Sequence, residues 1–195
     1  MRVLYLGPQR EQMMRFIAST GDEVVQADDA MRLADRRLRA ADFIVSYGYR
    51  HLLAHAIVTR FAGRAVNLHI SLLPWNRGAD PNLWSILEDT PKGVSIHYID
   101  SGIDTGDVVA QRAVELVPAD TLRSSYQRLE REIEQLFVEC WPELRAGRAR
   151  GRSQRSGGSF HRAADRTAIE HLLAKGWDTP VSDLVGKVQR QGLQT

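Results

Sequence analysis

An α/β protein with a parallel sheet flanked by helices is predicted by three observations. Short, bulky apolar runs recur through the first part of the chain. Each is followed by a stretch with helical spacing, and Gly or Pro marks the joins. "RVLYL" (2–6) reads as a buried strand broken by Gly7-Pro8, and "REQMMRFIAST" (10–20) as a helix that Gly21 ends. "EVVQA" (23–27) is a weaker strand, "DAMRLADRRLRAA" (29–41) a helix with its arginines turned away from the apolar stripe, and "DFIVSYG" (42–48) a third strand. "RHLLAHAIVTRF" (50–61) is predicted to be helical up to Gly63, and "RAVNLHISLL" (64–73) supplies a fourth strand. Strand and helix in strict alternation means parallel pairing, and ligands of such sheets bind outside the carboxyl ends of the strands.

Beyond the fourth strand, Pro74, Arg77, Gly78 and Pro81 make an irregular loop before a helix at "PNLWSILED" (81–89). "GVSIHYID" (93–100) and "VVAQRAVEL" (108–116) read as a strand and its hairpin return, followed by a long amphipathic helix over 122–144. Its apolar stripe either completes the core or meets a second copy, so a homodimer is a further expectation. The tail holds an Arg/Gly/Ser-rich connector, a short surface β segment at "GSFHR" with an incidental His161, the alternative being that His161 and Arg162 fold back on a substrate cleft, and a last helical region after "GWDTP". These features divide the chain into residues 1–144, a connector over 145–158 and a small C-terminal extension over 159–195.

No run approaches the roughly 18 apolar residues that span a bilayer, and the opening residues lack the pattern of a secretory signal. One cysteine, Cys140, makes neither an internal disulfide nor a metal cluster, so a cytoplasmic, metal-free protein is expected. The net charge of +2 is unevenly spread, with 10 basic and 4 acidic side chains in residues 145–195. Arg145, Arg148, Arg150, Arg152 and Arg155 can meet a phosphorylated ligand or nucleic acid, or form a solvated connector. No aromatic residues alternate with them, which speaks against nucleic acid as a partner.

The chemistry is concentrated in two stretches. In "NLHIS", side chains two apart share one face of a strand, so Asn67, His69 and Ser71 are expected to point together. A histidine accepts a proton, and a carboxamide donates to an oxygen that gains charge. In "DSGIDTGDVV", Gly102 and Gly106 permit a tight turn among Asp100, Asp104 and Asp107, any of which can support an imidazolium. Taken alone, both patterns are also common in ordinary structural roles.

Together, "NLHISLLPWNRG" and "GVSIHYIDSGIDTGDVV" resemble the folate-dependent formyltransferases, which include glycinamide ribonucleotide transformylase, methionyl-tRNA formyltransferase and the sugar N-formyltransferases. The resemblance runs closely from Asp42 to Leu116. It implies a Rossmann-like sheet, the formyl donor 10-formyltetrahydrofolate, and a primary amine as acceptor. The family's catalytic residues fall on Asn67, His69 and Asp104, and its pterin-enclosing loops fall on 46–53 and 98–104. Tyr47, Gly48, Tyr49, Arg50, Leu53, Asp100 and Ile103 are the implied donor contacts.

"SYGYRHLL" with "SLLPWNRGADPNLWS" is most similar to the sugar enzymes, whose acceptor is a nucleotide-linked amino deoxysugar. Ser71, Trp75, Asn76, Arg77, Asp80 and Asn82 are the implied acceptor contacts: Arg77 for a phosphate, Trp75 for a ring, Asn82 for a hydroxyl. Only 66 residues precede Asn67, so the fold is expected to be N-terminally shortened. "YLGPQRE" lacks the Gly/Ser-rich phosphate loop of the purine enzyme, and the tail is too short for the barrel of the tRNA enzyme. Formylation of a peptide, diamine or other non-sugar amine, a hydrolytic relative and a catalytically silent folate-binding protein are the alternative readings.

Overall fold

A computed structural model describes residues 1–117 and 119–190. Strands β1 (Arg2–Leu6), β2 (Glu23–Ala27), β3 (Phe43–Tyr47) and β4 (Ala65–His69) alternate with helices α1 (Glu11–Ser19), α2 (Arg36–Ala40) and α3 (His55–Arg60). A two-residue strand β5 (Arg77–Gly78), helix α4 (Pro81–Leu87), the hairpin β6 (Gly93–Tyr98) and β7 (Val108–Ala113), and helix α5 (Leu122–Arg145) follow. The chain then adds β8 (Phe160–His161), α6 (Arg166–Ile169), several 3-10 turns and α7 (Lys187–Arg190). The main sheet runs β2-β1-β3-β4-β6-β7, and β5 pairs with β8 in a second, two-stranded sheet.

β1, β2, β3 and β4 pair in parallel, with Leu4 opposite Val25 on one side and Ile44 on the other, and Ser46 opposite Asn67. The chain leaves β1 in one direction to β2 and returns on its other side to β3, so the strand order reverses between β1 and β3. At that reversal a Cβ on Gly7 (φ +126°) would strike the Tyr47 carbonyl, so only glycine lets the two strand ends approach. Bonds from Tyr98 N to Asp107 O (2.9 Å) and Val114 N to Lys92 O (3.0 Å) bracket the β6–β7 hairpin.

By internal contacts the chain divides into two compact units. One comprises residues 1–69, 96–110 and 134–153, the other residues 70–95, 111–133 and 154–195. In the first, Leu4, Leu6, Leu38, Ile44, Ile57 and Phe61 form an apolar cluster. Trp141, fully buried, sets its ring 5.5 Å from Phe43, edge to face, and donates Nε1–H to Thr20 Oγ1 at 3.1 Å. In the second, Leu83, Trp84, Ile86 and Leu87 of α4 pack with Leu122, Ile169, Val181 and Leu184. Each such aliphatic side chain contributes about 1.5–3 kcal/mol of burial free energy.

Four expectations change. The helix predicted over 29–41 begins only at Arg36, because the Asp35 side chain accepts from Arg37 N and caps it there. The helix predicted from residue 50 begins at His55, leaving 50–54 as loop. β4 stops at His69, so Ser71 lies outside the strand and the expected shared face reaches only Asn67 and His69. The connector is anchored. Arg145 bonds Asp22 at 2.7 and 3.0 Å and Arg148 bonds Glu143. Val108 and Arg152 exchange backbone bonds of 2.8 and 3.0 Å. No described helix is long and apolar enough to cross a membrane. Residues 191–195 of the predicted extension lie outside the described ones.

Candidate active site

Asn67 and His69 stand two apart on β4, as strand spacing requires, at the carboxyl end of the sheet. Asp104 comes from the turn between β6 and β7, where the Asp100 carboxylate accepts from Gly102 N (3.1 Å) and Thr105 Oγ1 (2.8 Å). Asp104 adopts φ +54°, a left-handed state that aspartate tolerates better than most residues. The turn thus brings its carboxylate to β4: Asn67 Nδ2 donates to Asp104 Oδ1 at 3.1 Å, and His69 Nδ1 lies 3.6 Å from Oδ2. The His69 and Asp104 side chains are only 7% and 12% exposed, so their electrostatic coupling is little screened by water.

The sequence reading did not single out His97, which joins this cluster. Its Nε2 lies 3.3 Å from both Asn67 Nδ2 and Asp104 Oδ1, while Nδ1 sits 2.8 Å from the Tyr98 carbonyl. A neutral ring with its proton on Nδ1 satisfies both ends: Nδ1–H donates to Tyr98 O, and Nε2 accepts from Asn67. The two Nδ2 hydrogens of Asn67 then serve Asp104 and His97. The signal was present in "SIHY", since Ser95 and His97 repeat at strand spacing the polar pattern of Asn67 and His69.

The loop after β3 divides into anchors and exposed groups. Tyr47 is buried with the Arg10 guanidinium 4.0 Å from its ring centre, so it presents only backbone. Tyr49 Oη accepts from Met31 N (3.0 Å) and donates to Asp29 O (2.9 Å), and burial pushes its hydroxyl pKa up. Leu53 packs partly buried against the first core. Gly48 and Arg50 are exposed. In the two loops expected to enclose the donor, 46–53 and 98–104, the exposed large apolar side chains are Leu52, which the sequence reading passed over and which is 77% exposed, and Ile103, 41% exposed.

The loop after β4 differs from its expected roles. Asn82 is buried in α4 and gives Nδ2 to Ser125 Oγ at 3.0 Å, so it faces the core. Asn76 is fully buried and donates to Glu88 Oε2 at 2.9 Å, while Ser71 donates to Trp75 O at 2.7 Å. Asn76 is thus paired through both ends of its amide, since Thr90 Oγ1 donates to its Oδ1, whereas Asn82 is paired through Nδ2 and its buried Oδ1 has no hydrogen-bond partner among the described residues. Asp80, in the left-handed region, lies 3.6 Å from Arg166. Trp75 and Arg77 are half-buried, and Arg77 Nε has no hydrogen-bond partner among the described residues. His161, expected to be incidental on a surface segment, is buried and stacks on Trp84 with centroids 3.9 Å apart and planes at 5°.

A family model for formyl transferases matches residues 15–140, more than half of the chain. The chain belongs to the formyl transferase family. A solved formyltransferase, PseJ from Anoxybacillus kamchatkensis, in complex with UDP-4,6-dideoxy-4-formamido-L-AltNAc and tetrahydrofolate, is 53% identical. The match covers 97% of this chain and 100% of that one, with a TM-score of 0.95. The methionyl-tRNA formyltransferase of Anaeromyxobacter sp. (strain K) is 38% identical over 120 residues, which cover 61% of this chain and 38% of that protein. The chain therefore spans well under half the length of the curated relatives it matches. A 4-N formyltransferase from Francisella tularensis shares the fold at a TM-score of 0.75 and 19% identity, over 86% of this chain and 78% of that one. The formyl transferase match contains Asn67, His69, His97 and Asp104 and stops short of His161.

Proposed function

We propose that this chain is an N-formyltransferase that moves a formyl group from 10-formyltetrahydrofolate to the primary amine of a nucleotide-linked amino deoxysugar, first of all a UDP-linked 4-amino sugar. The end-to-end likeness to PseJ, which was solved with a UDP-formamido sugar and tetrahydrofolate, carries the reading. Residues 1–144 form the catalytic segment of this proposal, 145–158 the connector and 159–195 the extension. The compartment proposed is the cytoplasm, which suits two water-soluble substrates.

The residues available suit the donor. Leu52 and Ile103 expose apolar surface in the loops that also carry Gly48 and the Asp100–Asp104 turn, a combination that suits a flat ring with polar edges. The donor supplies an activated formyl carbon, and the protein manages charge and protons around it. On donor binding Asn67 releases the Nδ2–H that serves His97 and gives it to the formyl oxygen as that oxygen gains negative charge. His69 takes the proton that the amine gives up as its nitrogen bonds the formyl carbon, and returns it to the folate nitrogen as the bond from that nitrogen to the formyl carbon breaks, with Asp104 orienting the ring and stabilising it while charged. The 3.6 Å His69–Asp104 separation shortens to a hydrogen bond when the ring becomes positive. Before the donor arrives His97 orients the Asn67 carboxamide, whose other hydrogen stays on the Asp104 carboxylate. On the acceptor side, Arg77 pairs with the diphosphate and Trp75 meets a ring.

The test is to incubate purified protein with 10-formyltetrahydrofolate and a panel of nucleotide-linked amino sugars, small diamines and peptides. Tetrahydrofolate release and the mass of each acceptor are followed. Gain of one formyl group by a UDP-linked 4-amino sugar is the expected outcome; formylation of a diamine or peptide alone would move the acceptor class, and absence of donor binding would refute the reading.

A further inference from the structure

The loop that follows β4 owes its shape to a segment far away in the sequence. β8 pairs in parallel with β5, Arg77 opposite Phe160 and Gly78 opposite His161. Arg77 N donates to Ser159 O at 3.0 Å and Ala79 N to His161 O at 2.9 Å. The two backbones approach so closely that a Cβ on Gly78 would collide with the His161 carbonyl, and one on Gly158 with the Pro74 carbonyl. Both glycines also have positive φ, +88° and +87°.

A polar cluster seals this contact. Glu88 accepts from Asn76 Nδ2 and from Ser159 Oγ, each at 2.9 Å, and His161 Nε2 lies 2.9 Å from its other oxygen. Thr90 Oγ1 donates to Asn76 Oδ1 at 2.8 Å, and the His161 ring lies flat on Trp84. Burial raises the Glu88 carboxyl pKa, but His161, Ser159 and Asn76 together outweigh this and hold it below its ordinary value. For stability alone, apolar packing serves at least as well as a buried carboxylate and imidazole, which must be taken out of water. What such a cluster adds is one defined conformation of the chain it joins.

We propose that His161 and Glu88 are positioning residues that fix loop 74–80, with Trp75 and Arg77, in the conformation that binds the acceptor, so that the C-terminal segment sets acceptor affinity. This rests on the nucleotide-sugar reading given above. Neither residue belongs to the Asn67, His69 and Asp104 cluster, so the cost of losing either falls on acceptor binding.

The experiment is steady-state kinetics at saturating 10-formyltetrahydrofolate for the wild type, His161→Ala, His161→Gln and Glu88→Gln, with donor Kd and thermal unfolding measured on each. His161→Ala raises the acceptor KM about tenfold, with kcat changed by no more than about threefold and donor Kd unaltered. His161→Gln keeps an N–H toward Glu88 and recovers most of that loss. An unchanged acceptor KM in a folded His161→Ala protein overturns the proposal, as does a joint fall of kcat and donor affinity. If His161→Ala does not fold, the same split is read from His161→Gln and Glu88→Gln. If the wild type formylates no sugar, the acceptor reading fails, and the positioning role is decided by amide exchange. Faster exchange at Arg77 and Ala79 in His161→Ala, with β1–β3 unaffected, supports it, and equal exchange refutes it.

Discussion

Asn67 and His69 take their positions from β4, a central strand with hydrogen-bonded neighbours on both sides, and their partners His97 and Asp104 come from the adjacent hairpin. Trp75 and Arg77 stand on a loop with two residues of strand, tied to Ser159 across 83 positions of sequence. The first arrangement is rigid because the sheet is rigid. The second is rigid only while a second segment stays docked. Proton transfer tolerates little displacement, so it suits the sheet, whereas a loop held by a separate segment can be altered for a different acceptor without touching the chemistry.

The largest expected effect separates the two regions outright. His69→Ala, or Asp104→Asn, should lower kcat by about a thousandfold while donor Kd and acceptor KM stay near wild type, checked by single-turnover kinetics and donor titration. A rise in acceptor KM of comparable size would break the comparison.

Next comes support beneath the sheet. Burial raises the pKa of Asp22, but hydrogen bonds from Arg145, the Met1 amine and Thr20 overcome it and set the value at about 2, against an ordinary 3.8. A depressed carboxyl stabilises the fold above its ordinary pKa, and that contribution is lost as pH falls from 3.8 towards about 2. Asp22→Asn should therefore cost about 1–2 kcal/mol in denaturant unfolding at neutral pH, with the difference closing in strong acid. Acceptor KM should not move.

Arg77→Ala should raise acceptor KM about tenfold and leave donor affinity alone, as loss of one phosphate contact does, and added salt should shrink the difference. The smallest effect falls on the donor side. Leu52→Ala should weaken donor binding by about fivefold, the worth of roughly 1 kcal/mol of apolar burial, and leave acceptor KM unchanged in the same titrations.

The two regions also differed in how far sequence disclosed them. Strand spacing placed Asn67 and His69 on one face because period-two alternation is local, and the resemblance placed Asp104 in its turn. The same rule applied to "SIHY" would have reached His97. The bond from Asn82 to Ser125 was not legible, because the two residues lie 43 positions apart. His161 had no local signal at all: its partners Trp84 and Glu88 lie more than seventy positions away, so neither its burial nor its stacking could be read from "GSFHR". Helix starts were also overestimated, because Asp35 caps α2 at a point that apolar periodicity does not mark.

The pairing of Val108 with Arg152 bears on how copies of this protein behave in a crowded solution. β7 is an outermost strand of the main sheet, and unpaired strand edges recruit other chains. Where β7 begins, its backbone groups are occupied by the chain's own arginine-rich connector, with Gly151 packed on Tyr98 and Asp107, and Ser153 bonded to Asp107. Arg150, Arg152 and Arg155 are exposed along that connector and repel an identical edge. The start of an outer strand is thus covered by the chain's own backbone and flanked by exposed positive charge, the two features by which sheet edges are kept from pairing with one another.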